Sequence, residues 1–282
     1  MTSKRIGLLH PGEMGASIGA AARAAGTRVS WASAGRSDAS RRRAAEAGIE
    51  DAHTPAALAA RSDVIISVCP PEAARSVAES ILGTGFTGIF VDANAVSSTT
   101  ARDLASFVED AGAHFVDGGI IGPPACRKGT TRLYLSGAEA SSVASAFQGS
   151  PLEVVVIDPR PGAASALKMS YAAWTKGSAA LLTAIRALAQ AEGVEAALLE
   201  EWSLSKPGLE AQSAAGARNN AFKAWRFSGE MREIAATFEA SGLPGGFHRA
   251  AADIYQRLAD YKDCDSAPEL SEVIDAILAT RT

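Results

Sequence analysis

Short apolar runs alternate with helical stretches along the first half of the chain. The runs predict strands at 5–9, 28–32, 63–68, 88–92, 114–117, 132–136 and 153–157. The stretches between them predict helices at 13–25, 37–47, 55–60, 71–82, 97–111 and 138–147. Continuously apolar strands separated by helices indicate an α/β fold with a doubly wound, mostly parallel sheet that is covered on both faces.

The pattern changes after the Pro-Arg-Pro-Gly segment at 159–162. From there the chain predicts helices almost to its end, without strand-like alternation. The longest predicted helix spans 163–192, is rich in alanine and leucine, and ends before Gly193. We therefore predict a sheet domain over 1–160 and an all-helical domain over 161–282 that starts with the long helix.

Composition narrows the class of protein. The 282 residues are 47% hydrophobic and 21% charged, as in globular proteins, and the net charge of −4 argues against a broad nucleic-acid surface. Cys69, Cys126 and Cys264 are far apart and form no metal-binding or disulfide pattern. The apolar runs are too short for a signal peptide or a membrane span. We expect a cytoplasmic protein that acts on a small molecule, without metal, membrane or nucleic acid.

A glycine-containing turn follows the first predicted strand directly. It comprises His10, Pro11, Gly12, Glu13, Met14 and Gly15, and an alanine-rich helical stretch begins within it. In such a unit, backbone N–H groups at the helix N-terminus point at the pyrophosphate of a dinucleotide. Gly12 would let the backbone approach the phosphates, and Gly15 would let the helix lie close to the strand. Because His10 replaces the first glycine of the usual G-x-G-x-x-G motif, a plain strand-to-helix turn is the alternative.

The end of the second predicted strand indicates which dinucleotide binds. An acid there would hydrogen-bond the ribose of NAD, whereas an arginine with a small hydroxyl residue would hold the 2′-phosphate of NADP. The chain has Ser33, Arg36 and Ser37 at this place, and Asp38 suits the start of a helix. We therefore predict NADP, with NAD as the alternative. One arginine of the run 41–43 is a further candidate for the 2′-phosphate, unless the run is simply a solvated helix face.

Four short motifs rich in glycine or polar residues occur along the chain. They are Gly12-Glu13-Met14-Gly15, Asp92-Ala93-Asn94, Asp117-Gly118-Gly119 with a later Gly129-Thr130, and a segment from Gly162 to Lys168. In order and spacing these motifs resemble the β-hydroxyacid dehydrogenase superfamily, whose members include 3-hydroxyisobutyrate dehydrogenase, 6-phosphogluconate dehydrogenase and the imine reductases. The resemblance covers nearly the whole chain. It implies an N-terminal Rossmann-type domain, followed by an all-α, 6-phosphogluconate-dehydrogenase-like C-terminal domain.

The resemblance also implies roles for individual residues. Lys168 matches the catalytic lysine position, Asn94 lies where the superfamily has a polar residue near the nicotinamide, and Cys69 and Pro70 match a turn beside the cofactor. The candidate substrate-binding residues are Gly119, Ile120, Ile121, Gly122, Pro123, Trp174 and Thr175.

The chain departs from the superfamily pattern at three places. Ile121 replaces a polar residue of the substrate segment, Ala172 replaces an asparagine after the lysine, and Gly229-Glu230 replaces a lysine–aspartate pair. These departures argue against recognition of a substrate carboxylate as in 3-hydroxyisobutyrate dehydrogenase. Together with Trp174 they indicate a more apolar pocket, and they point to a divergent subgroup with a modified C-terminal domain.

Lys168 suits the reduction of a carbonyl, because a lysine can protonate the developing alkoxide or stabilise it as an oxyanion. Tyr171, three residues later, is the alternative proton donor. The structural interpretations are a surface lysine and an aromatic residue packed against the sheet domain. Two interpretations apply to Asn94. It contacts the substrate or the nicotinamide ribose, or it serves as a turn or helix-capping residue.

We therefore expect an NADP-dependent oxidoreductase that transfers hydride between the nicotinamide and a small, relatively apolar hydroxy or keto compound. Reduction of a C=N bond, as in imine reductases, is one alternative, although the retained lysine favours carbonyl chemistry. A catalytically silent dinucleotide-binding protein that senses redox state is the other, because several motifs are incomplete.

The long predicted helix carries apolar residues on more than one face. They are Leu167, Trp174, Leu181, Leu182, Ile185 and Leu188. At the usual rise per residue the helix spans about 45 Å, which exceeds what a sheet domain with a radius of ~15 Å can cover. We therefore predict a homodimer in which the C-terminal helices of each chain pack around the long helix of the other, with Trp202 or Trp225 reaching the active site of the other chain.

Overall fold

The computed structural model describes residues 4–264 and 266–279 and separates the chain into two units, residues 1–169 and 170–282. The division falls inside the long helix, whereas the predicted domain boundary lies just before it.

The first unit is built on one sheet of eight strands. They are β1 (Arg5–Leu9), β2 (Arg28–Trp31), β3 (Glu50–Asp51), β4 (Val64–Ser67), β5 (Ile89–Asp92), β6 (His114–Ile121), β7 (Arg132–Ser136) and β8 (Glu153–Asp158). Their order across the sheet is β3-β2-β1-β4-β5-β6-β7-β8, and every neighbouring pair is parallel except β6 and β7. The predicted fold class is therefore confirmed.

Two strands differ from the prediction. β3 is absent from the predicted strands because its two residues, Glu50 and Asp51, are charged and exposed and give no apolar run. The prediction that β6 ends at Asp117 is wrong, since the strand continues to Ile121. The glycine pair after Asp117 has the composition of a turn, but it serves close packing within a strand instead.

Six helices connect the strands of this unit. They are α1 (Glu13–Ala24), α2 (Asp38–Glu46), α3 (Pro55–Ala60), α4 (Ala74–Leu82), α5 (Ser98–Asp110) and α6 (Ala140–Ser145). The side chains of Ser37, Thr54 and Ser97 cap α2, α3 and α5 by accepting backbone N–H groups. The helix predicted from residue 71 begins as a 3-10 turn over Pro71–Ala73, and α4 follows it.

The core lies on both faces of the sheet, in two separate hydrophobic clusters. Successive residues of a strand point to opposite faces, so Ile65 belongs to one cluster and Ile66 to the other. Both side chains are 0% exposed. A central parallel strand is buried on both faces, and this explains the unbroken apolar runs in the sequence.

The second unit is helical throughout its described part. Its elements are α7 (Ala163–Ala191), which starts in the first unit, α8 (Glu195–Ser205), α9 (Leu209–Ala221), α10 (Ala224–Ala240), α11 (Gly246–Arg257), a 3-10 helix (Ala259–Asp263) and α12 (Leu270–Leu278). Tyr255 of α11 is almost fully buried and packs edge-on against Phe227 of α10. Its hydroxyl donates a hydrogen bond to the Lys176 carbonyl of α7 at 2.8 Å, so one side chain joins three helices.

None of the helices in the described ranges is long and apolar enough to cross a membrane.

Candidate functional site

The predicted cofactor residues lie at the carboxyl ends of four neighbouring strands. His10 to Gly15 follow β1, Ser33 to Ser37 follow β2, Cys69 and Pro70 follow β4, and Asn94 follows β5. Because β2, β1, β4 and β5 are adjacent and parallel, their carboxyl ends share one edge of the sheet. Ligands of open α/β sheets bind at that edge, where the strand order reverses.

The loop between β1 and α1 has the geometry that a dinucleotide phosphate needs. Gly12 is the N-cap of α1, and a Cβ built on it would meet no atom within 4 Å, so the space in front of the helix N-terminus is open. A Cβ on Gly15 would lie 2.5 Å from the His10 carbonyl oxygen, so only glycine lets α1 pack this closely on the loop. The residues present therefore fit a dinucleotide pyrophosphate at the N-terminus of α1.

His10 occupies the position of the missing glycine in a left-handed backbone conformation, with φ of 64°. Glycine adopts this conformation freely, and histidine is among the few other residues that tolerate it. The Nδ1 atom of His10 is buried and has no hydrogen-bond partner in the described part of the chain. Burial and, to a smaller extent, the positive charge of Arg36 lower the pKa of this imidazole to about 4, so His10 is neutral at pH 7.

Arg36 is the arginine after β2 that the cofactor prediction rests on. It is half-buried, and burial lowers the pKa of its guanidinium. Within residues 4–264 and 266–279, the guanidinium forms no hydrogen bond and no ion pair, and it lies close enough to His10 and Cys69 to interact with them electrostatically. A desolvated guanidinium without an acid beside it is well suited to bind an external anion.

The other predicted residues after β2 are engaged in the loop itself. The Ser37 hydroxyl caps α2, and Ser33 hydrogen-bonds the carboxylate of Asp51. In the arginine run, Arg41 donates to the Ser33 carbonyl at 2.9 Å, and Arg43 donates to the Pro11 carbonyl at 3.1 Å. These two arginines therefore hold the backbone of the two loops that flank the phosphate position.

The Asn94 side chain stabilises the turn after β4 by hydrogen bonds. Its Oδ1 accepts the Cys69 backbone N–H at 2.5 Å, and its Nδ2 donates to the Ser67 hydroxyl at 3.2 Å and to the Asp92 carboxylate. The side chain is 3% exposed, so its amide is committed to the strand ends; a contact with ribose or substrate stays a prediction. Burial raises the pKa of the Cys69 thiol to about 11, which keeps it protonated and unreactive.

A buried carboxyl that the sequence does not single out as a functional residue holds the start of α7. Asp117, at 0% exposure, accepts hydrogen bonds from the Ser165 backbone N–H at 2.9 Å, the Ser165 hydroxyl at 2.6 Å and the Ser136 hydroxyl at 3.0 Å. Burial raises the pKa of Asp117, and these hydrogen bonds oppose that effect. The sequence signals are the motif that begins at Asp117 and the polar residues at otherwise apolar strand and helix ends.

Lys168 lies on α7 next to the end of β6. Its Nζ donates to the Ile120 carbonyl, and a Cβ on Gly119 would lie 3.2 Å from the Lys168 Cβ and 2.6 Å from the Ala164 carbonyl oxygen. The structure therefore brings Lys168 beside Gly119, Ile120 and Ile121. The Ile120 and Ile121 side chains are buried, whereas Gly122 and Pro123 are exposed.

The remaining candidates, Tyr171, Trp174 and Thr175, lie farther along α7 in the second unit. All three are exposed, Trp174 most strongly at 70%. Their roles as proton donor and substrate contacts stay predictions, as does the role of Lys168 itself.

Comparisons with known proteins agree with this description. Residues 5–148 match the family described as the NAD binding domain of 6-phosphogluconate dehydrogenase, and residues 189–258 match a domain of unknown function, DUF1932. An uncharacterized 28.5 kDa protein of Methanothermus fervidus is 32% identical over 167 residues, which are 59% of this chain and 63% of that protein. The match therefore spans less than two thirds of this relative.

Solved structures cover the whole chain. A conserved hypothetical protein from Sinorhizobium meliloti 1021 is 25% identical, with a TM-score of 0.66 over 98% of this chain and 96% of that one. The 3-hydroxyisobutyrate dehydrogenase of Mycobacterium tuberculosis is 21% identical, with a TM-score of 0.70 over 99% and 100%, which shows a shared fold.

The family match supports a nicotinamide dinucleotide as the cofactor and an oxidoreductase as the class of protein. The resemblance drawn from the motifs is thereby confirmed. This chain belongs to the family of the NAD binding domain of 6-phosphogluconate dehydrogenase, within the β-hydroxyacid dehydrogenase superfamily, and carries a divergent C-terminal domain.

Proposed function

We propose that this protein is an NADP-dependent oxidoreductase that transfers hydride between the nicotinamide and a small, relatively apolar hydroxy or keto compound. The observation that carries the cofactor choice is Arg36, whose half-buried guanidinium has no acid beside it in the described part of the chain. A 2′-phosphate would supply the missing negative charge. An enzyme selective for NAD would have an acid in place of this arginine.

Lys168 is the proposed proton donor and oxyanion ligand. The bound cofactor would supply or accept the hydride. The lysine ammonium would hydrogen-bond the substrate oxygen and give it a proton as negative charge develops there. Support comes from the placement of Nζ at the end of β6, beside the predicted substrate residues, where the Ile120 carbonyl orients it.

The proposed substrate is apolar because the side chains next to Lys168 are apolar. Ile120 and Ile121 supply no hydrogen-bonding group to a substrate carboxylate. A pocket with one polar side chain, Lys168, among apolar ones suits a compound with one carbonyl or hydroxyl group.

This proposal is tested first by measuring cofactor binding and then by measuring turnover. Fluorescence titration of the protein with NADPH and with NADH should give dissociation constants that differ at least about tenfold, or roughly 1.4 kcal/mol, in favour of NADPH. Loss of the absorbance of reduced nicotinamide would then be followed with 2-keto acids, 3-keto acids, aldehydes and cyclic imines. Equal titration curves would overturn the cofactor choice. NADPH binding without turnover of any carbonyl would favour a silent redox sensor, and turnover of imines alone would favour imine reduction.

We also propose a homodimer, supported by one stripe of α7. Leu167, Trp174, Leu181 and Leu188 recur every seven residues and are each at least 36% exposed. A heptad stripe of exposed large apolar side chains is the pattern by which helices pair. Light scattering should give about twice the chain mass of 28.9 kDa, and Leu181→Glu should reduce it to one chain. A parent protein of single-chain mass would contradict the proposal.

A further inference from the structure

His10 has a side chain where the fold requires none. Its left-handed backbone, with φ of 64°, suits glycine, and a residue with a Cβ is strained there. The imidazole gains no hydrogen bond at Nδ1 within the described ranges, although that atom is buried. A strained residue with an unsatisfied buried nitrogen is better explained by an external partner than by the stability of the loop.

The ionisable groups around the loop leave the positive charge of Arg36 without an ion pair among the described residues. Arg36 is the charge that acts on His10, and burial of both side chains disfavours their charged forms. Of the other ionisable groups on the surrounding elements, the Cys69 thiol is protonated, Arg43 is turned to the Pro11 carbonyl, and Glu13 is exposed on the first turn of α1. Asp92 and Glu72 act on the Cys69 thiol, but in the described part of the chain neither His10 nor Arg36 forms an ion pair with a carboxylate.

We propose that His10 and Arg36 form a proton-coupled phosphate site: when a phosphate monoester binds beside Arg36, His10 takes up one proton from solvent and becomes a second cation of the site. The inference deepens the proposed function and rests on it, because the phosphate monoester in question is the 2′-phosphate of NADP. A free phosphate monoester carries about −1.5 to −2 charges at pH 7, so two cations match it better than Arg36 alone.

The physical cause of the coupling is the negative charge that the phosphate brings to the loop. In the free protein, burial of the imidazole and, to a smaller extent, the charge of Arg36 keep it neutral. A bound dianion offsets the charge of Arg36 and adds an attraction for an imidazolium, so the pKa of His10 rises on binding. The proton balance is one proton from water onto the imidazole, with no bond made or broken elsewhere. Linkage then requires that NADP bind more tightly as the pH falls.

NAD lacks the 2′-phosphate and serves as the internal comparison. The pyrophosphate of NAD is diesterified and attracts a proton to His10 more weakly than a 2′-phosphate would. The affinity for NAD should therefore change little with pH. The site would therefore make cofactor selectivity itself depend on pH, with the preference for NADP growing in mildly acid solution.

Calorimetry with the intact protein tests the inference. NADP would be titrated at pH 7 in several buffers of different ionisation enthalpy, because the slope of the observed heat against that enthalpy counts the protons taken up. We expect uptake of about half a proton with the parent protein if the bound histidine titrates near neutrality. His10→Asn tolerates the left-handed backbone and remains polar but cannot titrate, and it should abolish the uptake. His10→Gly restores the usual loop residue and should do the same.

The dependence of NADP affinity on pH gives the second readout. Between pH 8 and pH 6 the parent affinity should rise about tenfold relative to His10→Asn, and this ratio cancels the titration of the phosphate itself. Zero proton uptake by a parent protein that prefers NADP, or the same pH dependence in parent and variant, would overturn the inference and leave the proposed function intact. Equal binding of NAD and NADP would overturn the proposed function and this inference with it.

Discussion

Arg186 of α7 is 5% exposed, and its guanidinium is held by the Glu195 carboxylate at 2.7 Å and the Ser213 hydroxyl at 3.1 Å. Lys176 of the same helix forms a 2.6 Å ion pair with Glu230. In the first unit, by contrast, the half-buried Arg36 has no acid partner in the described residues. In the helical unit, carboxylates neutralise Arg186 and Lys176, whereas Arg36, after β2 in the sheet unit, has no acid beside it among the described residues.

This difference distinguishes cations that are paired within the protein from a cation that is available to bind a ligand. Removing a cation from water is costly unless an opposite charge and hydrogen bonds replace the water. A cation paired inside the protein has regained that cost on folding, so its loss affects stability. A cation without an internal partner regains it on binding, so its loss affects affinity. The predictions below test the two halves of this distinction.

The largest expected effect is on the stability of the helical unit. Glu230→Gln removes the carboxylate from an ion pair whose side chains are 15% and 11% exposed and leaves Lys176 as an uncompensated charge. We expect a loss of about 3 kcal/mol in the free energy of unfolding, the usual cost of breaking a buried pair. Urea denaturation followed by tryptophan fluorescence would measure it, because Trp174, Trp202 and Trp225 all lie in this unit.

Glu239→Gln, on the same helix α10, is the matched control. Its pair with Arg249 is exposed, so its removal should cost less than about 1 kcal/mol. Equal losses from the two variants would contradict the assignment of the Lys176 pair as a structural charge.

The next effect is on turnover. Lys168→Ala should lower turnover by about a hundredfold or more, as expected for a lost general acid, while NADPH affinity barely changes. Steady-state kinetics and cofactor titration measure the two quantities separately. Tyr171→Phe is the comparison: if it is the more damaging change, the proton donor is Tyr171. Normal turnover in Lys168→Ala would remove the lysine from the mechanism.

The stability of the sheet unit should depend on pH through His10. Its pKa is about 4 when folded and about 6.5 when unfolded, so the unfolded chain binds more protons between these values. The stability that neutral His10 contributes is complete above pH 6.5 and is lost as the pH falls towards 4. We expect about 2 kcal/mol less stability at pH 5 than at pH 8 from this residue. His10→Gly should flatten that part of the pH profile, and an unchanged profile would show that His10 is not buried in neutral form.

The smallest effect concerns cofactor choice. Arg36→Ala should remove most of the expected tenfold preference for NADP and leave NAD affinity nearly unchanged. Arg42→Ala is the control, because Arg42 is exposed on the neighbouring helix α2. A preference for NADP that survives in Arg36→Ala, or vanishes in Arg42→Ala, would assign the phosphate to a different residue.

The alternation of strands and helices was predictable because the central strands are buried and give unbroken apolar runs, and because α2, α3 and α5 begin at serine or threonine caps. The first strand, at 5–9, and the helix at 55–60 agree with the structure residue by residue. The carboxyl edge was predictable for the same reason: once the strands are placed, the residues after them must meet. Ser33, Arg36 and Asn94 reach one edge in this way.

The hydrogen bonds that support this edge could not be read from the sequence. Asp117 and Ser165 are far apart in the chain, and only the folded sheet brings them together. The engagement of Asn94 with the Cys69 turn is likewise a consequence of β4 lying beside β5. The glycine pair at 118–119 was misleading because glycine marks both turns and close packing, and local sequence does not distinguish these uses.

The tight packing at the end of β6 limits which positions of the proposed substrate segment directed evolution can vary. A side chain introduced at Gly118 would meet Ala93 at 3.2 Å, and one at Gly119 would meet the Ala164 carbonyl oxygen at 2.6 Å. One at Gly122 would clash with the Thr130 carbonyl oxygen. A randomised library at these three positions would yield mostly misfolded members. Such a library should be concentrated on Ile121 and Pro123. Pro123 is exposed, and Ile121 lies two residues after the glycine pair.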